Sequence, residues 1–397
     1  MTFPFPEGPD ARPPRRYEEL LTEPGLPSVR LSNGYDALLV TRYAEVRQVL
    51  SDDRFSRARF PGRPMFARTT ESLALATSDP PVHTRRRRAV LSAFTARKAR
   101  EQMPSLRTLA DDLLDQVGTA AQPVDLVATF AVPFTMRVIT QMLGIPPQDE
   151  TFLRPLVDRM MSAGRFDADE VAAAHEEATR YFGRLVAACA ADPGGSDLLT
   201  ELLHTPQRGL SQEEVVVFGY GLLMAGYETT SNQLAMCALM VLEDPEWAES
   251  LHREPQTVPT AVEEMLRWSA LISTGGAPHI ALDDVQVGDT LVRAGQVVVP
   301  LTDAANRDAT VFDEPGCFAP DRPDNPHLAF GHGRHFCLGA HLARAELQVG
   351  LSALLHRFEG LRLAVPADEL TWRRGMFIRG PQALPVRWNA LRDRKEG

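Results

Sequence analysis

The chemistry that this sequence could support is concentrated around one cysteine. Cys337 lies in the run FGHGRHFCLGA, which spans residues 330–340. Glycines on both sides of the cysteine allow the loop to turn tightly and to approach a flat ligand closely. A helix is expected over residues 340–355, and the positive end of its dipole favours a thiolate over a thiol. The run is therefore suited to present one thiolate sulfur to a large planar group.

A heme iron is the ligand that best explains this pattern. A thiolate keeps its electron density for the metal when backbone amides, rather than bulky side chains, surround the sulfur. Phe330, Gly331 and Gly339 flank the loop in this way. His335, two residues before the cysteine, is placed to meet a propionate at the edge of the ring. A buried cysteine in a glycine-rich turn is the simpler interpretation, but the flanking pattern favours Cys337 as the axial ligand of a heme.

A second pattern that could do chemistry is AGYETT, residues 225–230, inside a long predicted helix. A glycine in mid-helix costs up to about 1 kcal/mol relative to alanine, so it requires a reason. Ala225, Gly226 and Thr229 are three and four residues apart and share a face. The Thr229 hydroxyl can open the helix locally and hold a water, and Glu228 adds a carboxylate for proton delivery to dioxygen. The alternative is that these small residues only allow helices to pack closely. Because the chain also carries the cysteine loop at 330–340, we favour the catalytic interpretation.

The elements that must position these residues are mostly helical. A strand is predicted at 35–41 and an amphipathic helix at 42–50. Helical periodicity dominates from 79 to 204, and a central helix is predicted at about 211–242, opened by a capping box. Short strands are predicted at 283–300. The sequence therefore predicts a mainly α fold with a small β portion, with heme between the central helix and the cysteine loop.

Composition and charge narrow the class of protein. No linker or internal repeat divides the 397 residues, so we expect one heme domain at 1–397, with a proline-rich segment at 1–16. A net charge of −10 argues against general nucleic-acid binding. The four cysteines form no Cys-x-x-Cys pair, and no apolar run is long enough to cross a membrane. We expect a soluble, cytoplasmic protein that binds neither nucleic acid nor membrane.

The cysteine loop matches the pattern Phe-Gly-x-Gly-x-His-x-Cys-Leu-Gly, and on this pattern the sequence resembles the bacterial cytochromes P450. Similar motifs run in the same order through nearly the whole chain, from the strand at 35–41 to the helix after Cys337. The resemblance implies the cytochrome P450 fold, heme b (iron protoporphyrin IX), and a monooxygenase that uses O2 and two electrons. It also implies that Glu228 and Thr229 are the acid and alcohol of the oxygen-activating helix, with Thr230 as the alternative alcohol.

The resemblance also implies which residues hold the cofactor. The run Asp-Pro-Pro-x-His-x-x-x-Arg at 79–87 is similar to the helix in which a histidine and an arginine bind the heme propionates, here His83 and Arg87. His279 stands where the family usually carries a third propionate-binding group, an arginine. We therefore expect His279→Arg to keep or improve heme retention. The resemblance implies a supporting structural network for three charged residues, Glu264, Arg267 and Arg322.

For the substrate, the resemblance implies only a region. We expect a bulky lipophilic molecule that is hydroxylated or epoxidised, such as a bacterial macrolide, polyketide or peptide. The loop at 64–75 is implied in the pocket, together with six side chains: Leu222, Tyr227, Leu271, Ile272, Thr274 and Phe377.

Electrons are expected from a ferredoxin and a ferredoxin reductase, since we expect the heme domain to use the whole chain. The basic face at Arg85–Arg88, with Arg97 and Arg344, is either a solvated helix face or a dock for an acidic ferredoxin. Two other functions stay open: the same fold as an oxidative coupling enzyme or peroxygenase, and a non-enzymatic heme sensor. The acid and alcohol pair favours O2 activation over these alternatives.

Overall fold

The computed structural model describes residues 1–6, 8, 10–60, 74–205 and 209–394. Most of these residues are helical, which confirms the predicted fold class. In chain order the helices are α1 (Arg16–Thr22), α2 (Tyr43–Ser51), α3 (Val82–Leu91), α4 (Ala96–Gly118), α5 (Val132–Leu143), α6 (Glu150–Met160), α7 (Ala168–Ala191), α8 (Leu198–His204), α9 (Gln212–Leu223), α10 (Thr229–Leu242), α11 (Pro245–Arg253), α12 (Val258–Trp268), α13 (Thr302–Ala305) and α14 (Ala340–Arg357).

The strands are short, and most of them flank the helical core. They are β1 (Thr2–Phe3), β2 (Ser28–Leu31), β3 (Asp36–Val40), β4 (Phe55–Ser56), β5 (Val124–Asp125), β6 (His279–Ala281), β7 (Val285–Val287), β8 (Thr290–Val292), β9 (Val297–Pro300), β10 (Phe358–Glu359), β11 (Arg362–Leu363), β12 (Pro385–Arg387) and β13 (Ala390–Leu391). The largest sheet within the described residues has the order β1-β2-β3-β9-β6-β4. Ser56 of β4 pairs with Ile280 of β6 in antiparallel register. This pairing brings the chain after β4 beside the start of β6.

The predicted central helix is present as α9, a π-helical turn at Met224–Glu228, and α10. It begins with the expected capping box, since the Ser211 hydroxyl accepts from the Glu214 amide at 3.1 Å and the Glu214 carboxylate accepts from the Ser211 amide at 3.0 Å. α10 is apolar and buried on nearly all sides because it packs against α5, α12 and α14. The chain thus holds the 225–230 motif deep in the molecule.

α14 connects the cysteine loop to this core. It follows directly after the loop and packs against α4, α10 and α12, so that the loop is fixed to the centre of the helical core. Within the described part of the chain, no helix combines the length and the apolar character that a membrane span requires.

The three charged residues implied as a structural network do meet. Glu264 and Arg267 are fully buried and form two hydrogen bonds, of 2.6 and 2.7 Å, and Arg322 Nε donates to Glu264 at 3.1 Å. Arg267 also donates to the Asn306 carbonyl at 2.9 Å, and the Asn306 side chain accepts from the Leu328 amide at 2.6 Å. The network therefore holds the chain segment that leads into the cysteine loop.

Candidate functional site

The cysteine loop is held in shape by its own backbone. The Cys337 amide donates to the Phe330 carbonyl at 2.8 Å and closes the loop. Gly331 and Gly333 have φ values of 72° and 68°, which side chains rarely tolerate. A Cβ on Gly333 would also lie 2.5 Å from the carbonyl oxygen of Leu50, at the end of α2. Glycine is therefore required at 333 both for the turn and for close contact with α2.

The Cys337 sulfur lies among groups that stabilise its anion. Burial raises the pKa of the Cys337 thiol, while the Gly339 amide and the Arg87 and Arg344 guanidinium groups lower it. Gly339 has an ordinary φ of −85°, and no atom of the described residues lies within 4 Å of where a Cβ would stand. The surface beside the sulfur is thus open at this position, as a flat ligand requires.

A cluster of basic side chains lies near the loop. The rings of His83 and His335 are 4.3 Å apart, and among the described residues neither buried Nε2 atom has a hydrogen-bond partner. His279 lies near the same two rings, and its Nε2 accepts from Arg57 Nε at 3.0 Å. Burial, Arg87 and Arg57 lower the pKa of His83 to about 4, and burial, Arg57 and His83 also lower that of His335. With two buried Nε2 atoms available and two arginines nearby, the cluster could hold a buried anion.

The motif at 225–230 leaves one strip of an otherwise buried helix accessible. Ala225 is exposed and Thr229 is half-buried, and the Thr229 hydroxyl donates to the Ala225 carbonyl within the π-helical turn. Thr230 is buried, so Thr229 is the accessible alcohol. Gly226 is half-buried and its pocket-lining role stays a prediction, and a Cβ there would lie 3.0 Å from the side chain of Ile139. Gly226 allows α5 to approach the central helix closely.

Glu228 points away from this strip into a buried ion-pair network. Its carboxylate accepts from Arg373 Nη1, and Arg373 Nη2 donates to Asp158 of α6 at 3.1 Å. Only 1% of the Glu228 side chain is exposed. Burial raises the pKa of Glu228, and the charge of Arg373 opposes that rise. The acid next to Thr229 is therefore held by an arginine from the far end of the chain.

Five of the six predicted substrate residues are accessible. Leu222, Leu271, Thr274 and Phe377 are half-buried, and Ile272 is 38% exposed. Ile272 and Ile378 form a β-bridge, and the Ser273 amide donates to the Phe377 carbonyl at 2.9 Å. The segments 271–274 and 376–378 therefore lie side by side.

Tyr227 is the exception among the predicted substrate residues, and that prediction is wrong. It is 2% exposed and packs in the main hydrophobic cluster. Tyr227 follows the accessible Ala225 by two positions, and residues two apart on a helix face nearly opposite directions. Of the loop at 64–75, residues 64–73 lie outside the described residues.

The basic face predicted at Arg85–Arg88 is not a continuous surface. Arg86 is buried, and both it and Arg85 donate to the carboxylate of Glu214. Arg344 donates to Glu263 at 2.7 and 2.8 Å. Arg86 and Arg344 are used in ion pairs at helix contacts, whereas Arg85 keeps 44% of its side chain exposed while it pairs with Glu214. The dock for an acidic ferredoxin stays a prediction. Arg88, Arg97 and Arg100 remain exposed.

Comparison with known proteins identifies the family. The chain is 45% identical over 378 residues to nocardicin C N-oxygenase of Nocardia uniformis subsp. tsuyamanensis, covering 94% of each chain. It is 41% identical to mycinamicin IV hydroxylase/epoxidase of Micromonospora griseorubida, over 94% of this chain and 95% of that one. The family model for cytochrome P450 matches residues 188–382. The chain belongs to the cytochrome P450 family.

The solved P450 structures agree with the fold. The crystal structure of HinD with NMFT and NO superimposes with a TM-score of 0.92 at 42% identity, covering 98% of this P450 and 99% of that chain. The P450 is thus a heme monooxygenase that uses O2 and a small-molecule substrate, and its cofactor is heme b.

The residues present fit a heme. The open surface beside the Cys337 sulfur suits the face of a porphyrin, and the unpartnered Nε2 atoms of His83 and His335 suit its two carboxylates. Arg57 was missed by the sequence reasoning. No motif marks it, and only the pairing of β4 with β6 places it beside His279.

Proposed function

We propose that this cytochrome P450 oxidises a bulky, lipophilic bacterial natural product. One atom of O2 enters a C–H or C=C bond of the substrate, and the other leaves as water after uptake of two electrons and two protons. The names of the two relatives, a nocardicin C N-oxygenase and a mycinamicin IV hydroxylase/epoxidase, support a natural product. The accessible apolar side chains of Leu222, Ile272 and Phe377 support a lipophilic one.

The single observation that carries the proposal is the setting of Cys337. Its thiol lies beside the Gly339 amide, and the charges of Arg87 and Arg344 oppose the rise that burial causes in its pKa. The neighbouring cluster of basic side chains could hold buried anions. In this proposal the Cys337 sulfur would hold the heme iron, and the loop residues Phe330, Gly331 and Gly339 would line the heme site. When bound, heme b supplies the iron at which O2 is reduced. The proposed propionate contacts are five basic side chains: Arg57, His83, Arg87, His279 and His335.

Proton supply is the proposed role of the π-helical turn. Thr229 is accessible from the same strip as Ala225, and its hydroxyl can exchange its bond to the Ala225 carbonyl for a bond to water. Glu228 is buried one residue away, bound to Arg373. We assign proton uptake to Glu228 and proton donation in the pocket to Thr229. Arg373 is a positioning residue, because it fixes the direction of the Glu228 carboxyl.

A ferredoxin, reduced by a ferredoxin reductase, is the electron donor in this proposal. The exposed Arg88, Arg97 and Arg100 on α3 and α4 are suited to an acidic partner. Increasing ionic strength should then slow heme reduction, since salt screens exposed charges. A reduction rate that is independent of salt would refute this dock.

We also propose that residues 1–397 form one heme domain, because the backbone of the N-terminal segment is bound by Arg379.

Absorption spectra of the reduced protein with carbon monoxide test the function. We expect the band typical of thiolate-ligated heme in the wild type and its loss in Cys337→Ala. Cys317→Ser changes an exposed cysteine and is the matched control, which should keep the band. An unchanged band in Cys337→Ala would show that another residue ligates the iron. Product formation with ferredoxin and O2, compared with hydrogen peroxide alone, distinguishes the monooxygenase from a peroxygenase.

A further inference from the structure

Arg379 is a buried arginine that joins the N-terminal segment to the substrate side of the site. Its Nη1 donates to the carbonyl oxygens of Arg12 at 2.8 Å and Ala270 at 3.2 Å, and its Nη2 donates to the carbonyl of Asp10 at 3.1 Å. Only 2% of the residue is exposed. Residues 10–12 are thereby tied to the residue that directly precedes Leu271.

The backbone around Arg379 continues this connection. The Arg379 amide donates to the Leu271 carbonyl at 2.8 Å, and the Ala270 amide donates to the Ala11 carbonyl at 2.9 Å. The next positions form the bridge between Ile272 and Ile378. A guanidinium presents its donors in a rigid planar fork, so it fixes the relative positions of the carbonyls that it binds. Arg379 therefore ties the segment 376–378 both to Ala270, directly before the segment 271–273, and to residues 10–12.

The buried charge of Arg379 has a carboxylate nearby. Asp303 of α13 is buried, and burial raises its pKa to about 7 while Arg307 and Arg379 oppose the rise. The helix that carries Asp303 is attached to the same wall, because the Thr302 amide donates to the Gly275 carbonyl at 3.2 Å. Asp303 is thus close enough to Arg379 for the two side chains to interact electrostatically, and its helix is bonded to the segment 271–276.

We propose that Arg379 is a specificity-determining positioning residue, through which the N-terminal residues 10–12 set the wall formed by 271–273 and 376–378. The inference rests on the proposed function, since it concerns the same substrate wall. Arg379 does not touch the substrate. It acts through Leu271, Ile272 and Phe377, whose positions decide how much bulk the pocket accepts.

Two iron-binding probes of different size test this role in the heme-loaded protein. Imidazole needs little space, whereas clotrimazole carries bulky aryl groups that must fit against the wall. In Arg379→Gln we expect the Kd for clotrimazole to rise by about tenfold, the effect of one lost good contact, while the Kd for imidazole stays within about twofold. Arg379→Lys should show a smaller rise, because lysine keeps the charge but lacks the fork.

Arg392 provides the matched control. It also donates to three backbone carbonyls, those of Leu355, His356 and Phe358, but at the C-terminal end of α14. Arg392→Gln should leave both Kd values unchanged. Hydrogen exchange gives a readout that does not depend on the heme, and the amides of Ser273 and Arg379 should exchange faster in Arg379→Gln only.

The outcomes separate the two proposals. Equal clotrimazole affinity in the wild type and Arg379→Gln overturns the positioning role. Parallel weakening of imidazole also overturns it, because that result indicates a general defect of the fold. A wild-type protein without the thiolate carbon monoxide band refutes the proposed function instead. The hydrogen exchange of Ser273 then still decides whether Arg379 holds the wall.

Discussion

Replacing Arg373 by glutamine should leave the Glu228 carboxyl inside the protein without its cation. The side chains of Glu228 and Arg373 are 1% and 14% exposed, so water cannot replace the lost partner. Removing one member of a buried ion pair costs about 3–5 kcal/mol, because the other charge stays buried and uncompensated. We expect a loss of this size in the free energy of unfolding at pH 8.

The loss should depend on pH in a defined direction. Burial already raises the pKa of folded Glu228 above its ordinary value of 4.5, and without Arg373 the pKa rises further. A carboxyl with a raised folded pKa contributes stability that is fully present below the unfolded pKa and is lost as pH rises through the folded pKa. Arg373→Gln should therefore lie close to the wild type in stability near pH 5 and fall progressively below it toward pH 8.

Denaturant unfolding, followed by tryptophan fluorescence at several pH values, measures this difference. Arg137→Gln is the control, because Arg137 and Glu150 form a comparable pair at 2.6 Å whose side chains are 35% and 14% exposed. Its loss should cost only about 1 kcal/mol or less. Combining Glu228→Gln with Arg373→Gln should recover most of the stability, since no buried charge remains. A deficit below about 1 kcal/mol at pH 8, or one that does not change with pH, would contradict the buried ion pair.

Three further pairs of substitutions test the cofactor and oxygen sides of the site. Thr229→Ala should lower the product formed per O2 consumed by about a hundredfold and leave the carbon monoxide band unchanged. Thr230→Ala should not lower the product formed per O2. Arg57→Ala should speed heme transfer to apomyoglobin by about tenfold, the effect of one charged hydrogen bond, whereas His279→Arg should keep or improve retention. Gly333→Ala should destabilise the fold by about 2 kcal/mol in denaturant unfolding, because φ is 68°, while Gly339→Ala should not. Equal stability of Gly333→Ala and Gly339→Ala would refute the need for glycine at 333. Heme loss from Arg57→Ala at the wild-type rate would refute the role of Arg57. Equal product per O2 in Thr229→Ala and Thr230→Ala would refute the role of Thr229.

Local patterns in the sequence were sufficient to predict the scaffold of the site. The capping box of the central helix, the glycines of the cysteine loop and the helix after Cys337 all depend on residues within a few positions of each other. The pattern Glu-x-x-Arg at Glu264 and Arg267 is local too, and only its third member, Arg322, comes from a distant segment. Such short-range patterns can be recognised from one sequence, especially where they resemble a family.

The contacts that the sequence did not predict are long-range. Arg57 meets His279 across 222 positions, Glu228 meets Arg373 across 145, and Arg379 meets Asp10 across 369. An arginine at any of these positions looks like an ordinary surface residue until the fold brings the distant segments together.

The central helix departs from the predicted geometry at one turn. The sequence predicted a regular α-helix, whereas Met224–Glu228 forms a π-helical turn. A π turn has a wider repeat than an α-helix, so it changes which side chains share a face. The wrong prediction for Tyr227 has a simpler cause, because Tyr227 lies two positions after the accessible Ala225 and therefore faces the core.

The segment 372–380 carries two proposed functions on one short stretch of chain. Arg373 in it holds the Glu228 carboxyl, and Phe377, a few positions later, lies in the proposed substrate wall. Insertions or deletions here would shift the reach of Arg373 together with the shape of the pocket. Libraries that aim to change the substrate should therefore vary side chains at 376–378 and keep the length of the segment constant, so that selectivity can change while proton supply is retained.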